Sequence, residues 1–323
     1  MGSSLNPGRL TVGLDVGGTK ILGVLVDADG TVLHQVRLPT RKGGEGVVAT
    51  AALVVERLAR SAGVSLPALA AVGMGVPGIV DPDTGQVAHA VNLGIDGSVA
   101  LGSLLSARLG GLPVTADNDL NAAALGAAHL RCMREGCEGR PVDLAFLALG
   151  TGVAAGMMLD GVLRHGATGV AGEIGHIPVV AGGLLCPCGQ RGCLEQYASG
   201  TALDVAWPSR TGRPSPIEVF EAAESGDDAA VQIRRVFAGA VAAAVRLLVL
   251  TCDVEVVVLG GGVSAVGAPL LASVQAALTD QTADSPFLRS MDMAGRVELA
   301  PTGVPVAAIG AALLGVAPHA AGC

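Results

Sequence analysis

A chain of 323 residues is long enough for two packed domains of roughly 150 residues each and too long for one small core. Half of it is hydrophobic and only 15% is charged, which excludes a disordered chain, and 2% aromatics leave the core to Ala, Val and Leu and no surface for stacking bases. With 20 basic and 28 acidic residues the net charge is −8, the wrong sign for gripping phosphate backbones, so a nucleic-acid partner is not expected.

Leu10–Leu14 and Ile21–Val26 are short buried strands joined by Asp15-Val-Gly-Gly-Thr-Lys20, and the turn at Asp29-Gly30 leads to a third strand near Val32–Leu38. Val47, Val48, Ala51, Val54, Val55 and Leu58 recur at helical spacing over Gly46–Ala62. Leu69–Val76 is a strand ending at Pro77-Gly78, and Pro82, Asp83 and Gly85 form a turn. Leu101–Leu109 is a helix, and Val114–Ala116 a strand that delivers Asp117-Asn118-Asp119 to the helical stretch Asn121–Leu130. Leu144–Leu149, Gly150-Thr151-Gly152, Val153–Leu159 and Asp160-Gly161 then repeat the plan of the opening residues. That repetition predicts a duplicated α/β fold with a cleft between its halves. Trp207–Pro216 reads as a surface loop, and Val306–Val316 as an apolar helix that must dock on something.

Val236–Cys252 is the longest weakly polar run, but it is seventeen residues long and contains Arg246, short of the about 20 apolar residues a spanning helix needs. A buried helix feeding the strand Glu255–Leu259 is expected instead. No apolar signal segment is visible in the first ten residues, so a soluble, cytoplasmic protein is expected. Of seven cysteines, Cys186, Cys188 and Cys193 cluster, which in a cytosolic chain points to metal before disulfides. Cys132, Cys137, Cys252 and Cys323 show no such spacing and read as buried or incidental thiols.

Three glycine turns follow three buried strands: Gly17-Gly18-Thr19, Gly150–Gly152 and Gly260–Gly262. Together they resemble a nucleotide cradle, whereas a lone Gly-Gly turn is more often a plain strand turn. Asp119 stands at a strand's C-terminal end, where a carboxylate can take the proton of an attacking hydroxyl. Asn118-Asp119 also suits an ordinary helix cap. His176 with Cys186, Cys188 and Cys193 makes a Cys₃His set, what a closed, structural zinc site requires, with Gly189 and Gly192 letting the chain wrap the ion. Glu173 and Glu195 flank it, as hydroxyl ligands or as solvated acids.

These marks, with Gly75-Val-Pro-Gly78, resemble the ROK family (repressors, open reading frames and sugar kinases) over essentially the whole chain. The resemblance implies a ribonuclease H-like or actin-like ATPase fold with a structural zinc loop. A small α/β domain would span 1–117, joined by a C-terminal helix at 306–323, and a large domain 118–305. It implies an ATP-dependent kinase for the 6-hydroxyl of a gluco-configured sugar, with N-acetylglucosamine slightly favoured over glucose. Asp119 would be the general base; Gly78, Asn118, Glu173, His176 and Glu195 would hold the sugar. His176 would also ligate zinc with the three cysteines. Asp15, Gly17, Gly18, Thr19 and Lys20 would face Mg²⁺ and the ATP phosphates, and Thr151, Gly152, Gly260 and Gly261 would line the nucleotide. A homodimer or homotetramer is also implied.

Two departures from the family pattern stand out. Ala154-Ala155 replace glycines and are expected to narrow the phosphate loop, and Gly94-Ile-Asp-Gly97 replaces an aromatic after Asn92-Leu93, leaving space for an acetamido group. A repressor is the rival reading, disfavoured because the family's regulators carry a helix-turn-helix of tens of residues ahead of this region, whereas fourteen precede Asp15. A zinc hydrolase is a second rival, disfavoured because four protein ligands leave no open position.

Overall fold

The computed structural model describes residues 10–81, 84–136 and 140–315. The opening apolar runs form β1 (Leu10–Val16), β2 (Lys20–Val26) and β3 (Val32–Pro39). They are followed by α1 (Gly44–Ser61), β4 (Leu69–Val76), the short pair β5 (Ile79–Val80) and β6 (Val87–Ala88), α2 (Leu101–Arg108), β7 (Val114–Asn118) and α3 (Asp119–Glu135). The sheet order is β3-β2-β1-β4-β7, with an antiparallel meander of β1 to β3 and with β4 and β7 parallel to β1. β1, β2 and β4 are continuous apolar runs because both sheet faces are covered. α1 buries the predicted Val47, Val48, Ala51, Val54, Val55 and Leu58 against one face.

The second half continues with β8 (Leu144–Leu149), β9 (Val153–Leu159), β10 (Val162–Leu163), α4 (Glu195–Ala198), α5 (Gly200–Ala206), α6 (Ser215–Glu224) and α7 (Asp228–Cys252). Then come β11 (Val256–Gly260), α8 (Ala268–Thr282), α9 (Pro286–Arg289), β12 (Val297–Leu299) and α10 (Val306–Leu314). Its sheet runs β10-β9-β8-β11-β12, with β8 and β9 antiparallel and β11 parallel to both β8 and β12. The order and strand directions repeat those of β3-β2-β1-β4-β7, so the duplication read from the two Gly/Thr turns is present in the topology. α7 is long and apolar enough to cross a membrane, yet Phe237, Val241, Ala244, Val245 and Leu248 face the core of its own sheet. It feeds β11, as expected from the sequence.

The chain divides into two units: 1–139, 163–171 and 303–323 form the first, and 140–162 with 172–302 the second. The boundary expected at 117/118 therefore falls inside the first unit, within β7 just before its last residue, Asn118. The reason is α10, which packs on β1, β4 and α3. At Gly13, Gly73 and Gly126 a Cβ would run into the backbone of Ala308, Ala311 and Val306, so helix and sheet meet there at backbone distance. A seam of glycine and alanine thus binds α3 into the first unit. Pro82, Asp83, Cys137, Cys323 and the end of the helix expected at 306–323 lie outside the described residues. The loop expected at Trp207–Pro216 stops earlier: α6 begins at Ser215 with Pro216 in its first turn, where proline is tolerated.

Candidate active site

In the first unit the strand ends form a registered row. Asp15 of β1 pairs with Gly75 of β4, and Gly75 pairs with Asp117 of β7. Asn118 ends β7 and caps α3: its Oδ1 accepts from the backbone N–H of Leu120 at 2.9 Å and of Asn121 at 3.4 Å, while its Nδ2 donates to the Gly78 carbonyl at 2.9 Å. The ordinary cap reading of Asn118 is therefore realised, and the same side chain ties the corner to Gly78. Asp119 is the first residue of α3 and is half-buried. Its Cα would lie 3.3 Å from a Cβ at Gly75, so the glycine lets β4 run close beneath it.

The Gly17-Gly18-Thr19 turn joins β1 to β2, closed by Gly17 N–H donating to the Lys20 carbonyl at 2.9 Å. Thr40 braces it, its hydroxyl donating to the Gly17 carbonyl at 2.6 Å and its N–H to the Thr19 carbonyl at 3.0 Å. Gly18 lies against Asn92, and Thr19 and Lys20 are exposed. Burial raises the Asp15 carboxyl above the ordinary aspartate range, with the nearby Lys20 charge opposing. A carboxyl held in that way is eased by any further cation beside it.

A pair that the sequence reading missed sits behind this corner. Asp117 Oδ2 lies 2.7 Å from His165 Nε2, and its Oδ1 accepts from Asn121 Nδ2 at 2.9 Å. The His165 imidazole is raised above its ordinary value, chiefly by the hydrogen bond to Asp117 and against the burial that opposes it. The only available signal was the Asp before Asn118; nothing local announced its partner 48 positions on.

In the second unit the Gly150–Gly152 turn joins β8 to β9 and is held from outside. The Gly150 carbonyl accepts from Gly200 N–H at 2.7 Å, and the Thr151 carbonyl from the Thr201 hydroxyl at 2.7 Å. Glu195, the first residue of α4, accepts from Val153 N–H at 3.1 Å and stands where a Gly152 Cβ would go. Glu195 is therefore no merely solvated acid. Gly260 pairs with Ala148 and lies against Phe146, and Gly261 lies against the backbone of Leu149, the residue before the Gly150–Gly152 turn. Ala154 and Ala155 follow this turn as the second and third residues of β9, and Ala155 is buried with its N–H on the Gly172 carbonyl at 2.9 Å.

Glu173 precedes a single helical turn over Ile174–His176, and His176 Nδ1 lies 3.8 Å from Cys186 Sγ. Cys188 and Cys193 Sγ are 3.7 Å apart, and the four ligand atoms all fall within 4.8 Å of one another. Metal–sulfur bonds of about 2.3 Å in a tetrahedron give sulfur–sulfur edges of about 3.8 Å, so the set fits a four-coordinate ion. Gly189 and Gly192 both take positive φ and let the segment double back. Hydrogen bonding from Gln190, first through its backbone, draws the Cys188 thiol down to about 6, while burial pushes Cys193 up to about 12. His176 Nε2 faces Glu173 Oε2 at 3.9 Å, leaving the second ring nitrogen off the cysteine side.

Two sheets of one repeated plan, glycine turns at matching strand junctions and a Cys₃His loop define an α/β protein of the actin-like ATPase class. The sequence pattern of the ROK family matches residues 11–317, and the chain belongs to that family. It is similar to a glucokinase of Halalkalibacterium halodurans, 34% identical over 288 residues, which are 83% of this chain and 84% of the relative. An N-acetylmannosamine kinase of Vibrio cholerae is 32% identical over 255 residues, 78% of this chain and 84% of that one. Among solved structures, the ROK family glucokinase of Streptomyces griseus in complex with glucose and AMPPNP is 33% identical with a TM-score of 0.75. That match covers 95% of this chain and 99% of its own.

Proposed function

We propose that the chain is an ATP-dependent sugar kinase that phosphorylates the 6-hydroxyl of a gluco-configured sugar. The observation that carries this reading is the β7–α3 corner, which holds Asp119 beside the Asn118–Gly78 link, in a chain similar over most of its length to sugar kinases. Asp119 takes the hydroxyl proton as the oxygen attacks phosphorus, in a reaction that depends mainly on positioning and charge neutralisation. Gly78, Asn118, Glu173, His176 and Glu195 hold sugar hydroxyls. Asp15 and the Gly17–Lys20 turn serve the ATP phosphates and their Mg²⁺, which when bound would neutralise phosphate charge. Thr151, Gly152, Gly260 and Gly261 serve the nucleotide. Zinc is the ion read for His176, Cys186, Cys188 and Cys193, with a structural role because all four positions are taken by protein. A cytoplasmic homodimer or homotetramer completes the reading; its assembly is measured by sedimentation at micromolar concentration.

Two sugars have separate support. N-acetylglucosamine is favoured by the Gly94–Gly97 segment, which has no aromatic after Asn92-Leu93 and where a Cβ at Gly97 would meet open space. Glucose is favoured by the relatives named glucokinase. A coupled ADP-release assay with glucose, N-acetylglucosamine, N-acetylmannosamine, mannose and fructose tests both levels. Sugar-dependent ADP release is expected, with kcat/KM highest for one of the first two. A value for glucose at least about tenfold above that for N-acetylglucosamine makes the protein a glucokinase, a ratio within reach of one pocket contact. ADP release that no sugar stimulates would overturn the kinase reading.

A further inference from the structure

Asp117 is 6% exposed, and nothing in the proposed chemistry uses it. Its carboxylate nevertheless collects three donors. Oδ1 accepts from Asn118 N–H at 2.6 Å and from Asn121 Nδ2 at 2.9 Å, and Oδ2 meets His165 Nε2 at 2.7 Å. An ionised carboxylate only accepts, so the imidazole carries its proton on Nε2. His165 is 27% exposed and comes from the segment 163–171, which belongs to the first unit although the residues before and after it belong to the second. The segment folds back on itself through Ala171 N–H on the His165 carbonyl, with Gly166 and Gly169 at positive φ.

The β7–α3 corner is thus pinned from two sides. Asn118 anchors it forward to Gly78, and Asp117 anchors it backward to His165, while also holding Asn118 and Asn121 on either side of Asp119. We propose that His165 is a positioning residue for phosphoryl transfer: through Asp117 it fixes the first turn of α3 and with it the direction of the Asp119 carboxylate. The inference rests on the kinase reading above. Without His165 a buried carboxylate loses one of its three donors, and the corner must repack or admit water to replace it. A base displaced by about 1 Å loses on the order of 10²-fold in rate while the substrate still binds. A plain tether for the segment 163–171, which runs on to Glu173 and His176, predicts the opposite pattern, weakened sugar binding at unchanged turnover.

The test compares wild type, His165→Ala and His165→Gln in the ADP-release assay at saturating ATP, using the sugar wild type turns over best, beside thermal unfolding of each. For His165→Ala, kcat is expected to fall at least about tenfold with the sugar KM within about threefold. His165→Gln, whose Nε2 stands near the place of the imidazole Nε2, is expected to recover most of that loss. Unchanged kcat in the alanine variant, or a raised KM at unchanged kcat, overturns the positioning role; so does a folded glutamine variant as slow as alanine. If His165→Ala does not fold, Asn121→Ser removes the other side-chain donor on Asp117 and is read by the same split. A wild type silent with every sugar overturns the kinase reading itself, whereas an active wild type with unaltered variants overturns only this proposal.

Discussion

Asp119 and Asn118 divide two tasks that their sequence position leaves joined. Asn118 commits its side chain to the α3 N-terminus and to Gly78, so in the kinase proposed above the role of base is assigned to Asp119. Asp119→Asn keeps the shape, and removing a negative charge from a helix N-terminus costs only about 0.3–1 kcal/mol of stability. It is expected to lower kcat by at least about 10²-fold while sugar binding survives, measured by steady-state kinetics beside sugar titration. Near-normal turnover would reduce Asp119 to part of a helix start. Residues with local signatures were legible here: the glycine turns, Asn118-Asp119 and the Cys₃His set. His165 on Asp117 and Glu195 on Val153 were not, because they join positions 48 and 42 apart through tertiary packing that no spacing announces.

The elements were legible where apolar periodicity was strong, as in α1 and the buried strands, and less so where an isolated carboxylate organised the chain. Residues 207–214 keep their loop form because Glu218 of α6 reaches back into them. It accepts from the hydroxyls of Ser209 and Thr211 at 2.8 and 2.6 Å and from the N–H of Arg210 and Thr211 at 3.0 and 3.1 Å. These bonds, led by the Thr211 hydroxyl, hold its carboxyl down at about 2. A depressed carboxylate contributes stability above its unfolded value and loses it as pH falls toward the folded one. The loop is therefore expected to open progressively from the ordinary glutamate range, about 4.3, down to about 2, read as protease nicking at Arg210 or Arg213 across that window. Glu218→Gln should give nicking at neutral pH; equal resistance in both proteins at all pH values would contradict the anchor.

For the whole molecule, the repeated sheet plan was visible as two Gly/Thr turns, whereas the division of the chain was not. A boundary drawn at 117/118 follows sequence order, but α3 belongs where its small-residue face meets α10, and Ala and Gly carry little hydrophobic periodicity to show that. Because the two cores are separate, metal removal should act unequally. An ion held by the Cys₃His set would contribute on the order of 10 kcal/mol to the order of its own loop. Stripping it is expected to raise the sugar KM through His176 before the first unit unfolds, followed by kinetics and circular dichroism during chelation. Active protein that analyses free of zinc would remove this role.

The glycine seam under α10 also sets a timetable for synthesis. β1 and β4 leave the ribosome early, carrying Gly13 and Gly73 shaped for a helix that is translated more than two hundred residues later. Until then one face of that sheet has no cover, and the nascent first unit must wait, wet and accessible to chaperones, while the second unit can already close. A message truncated before residue 303, or a protease that clips there, would leave the second core intact and the first without the helix its sheet is shaped for.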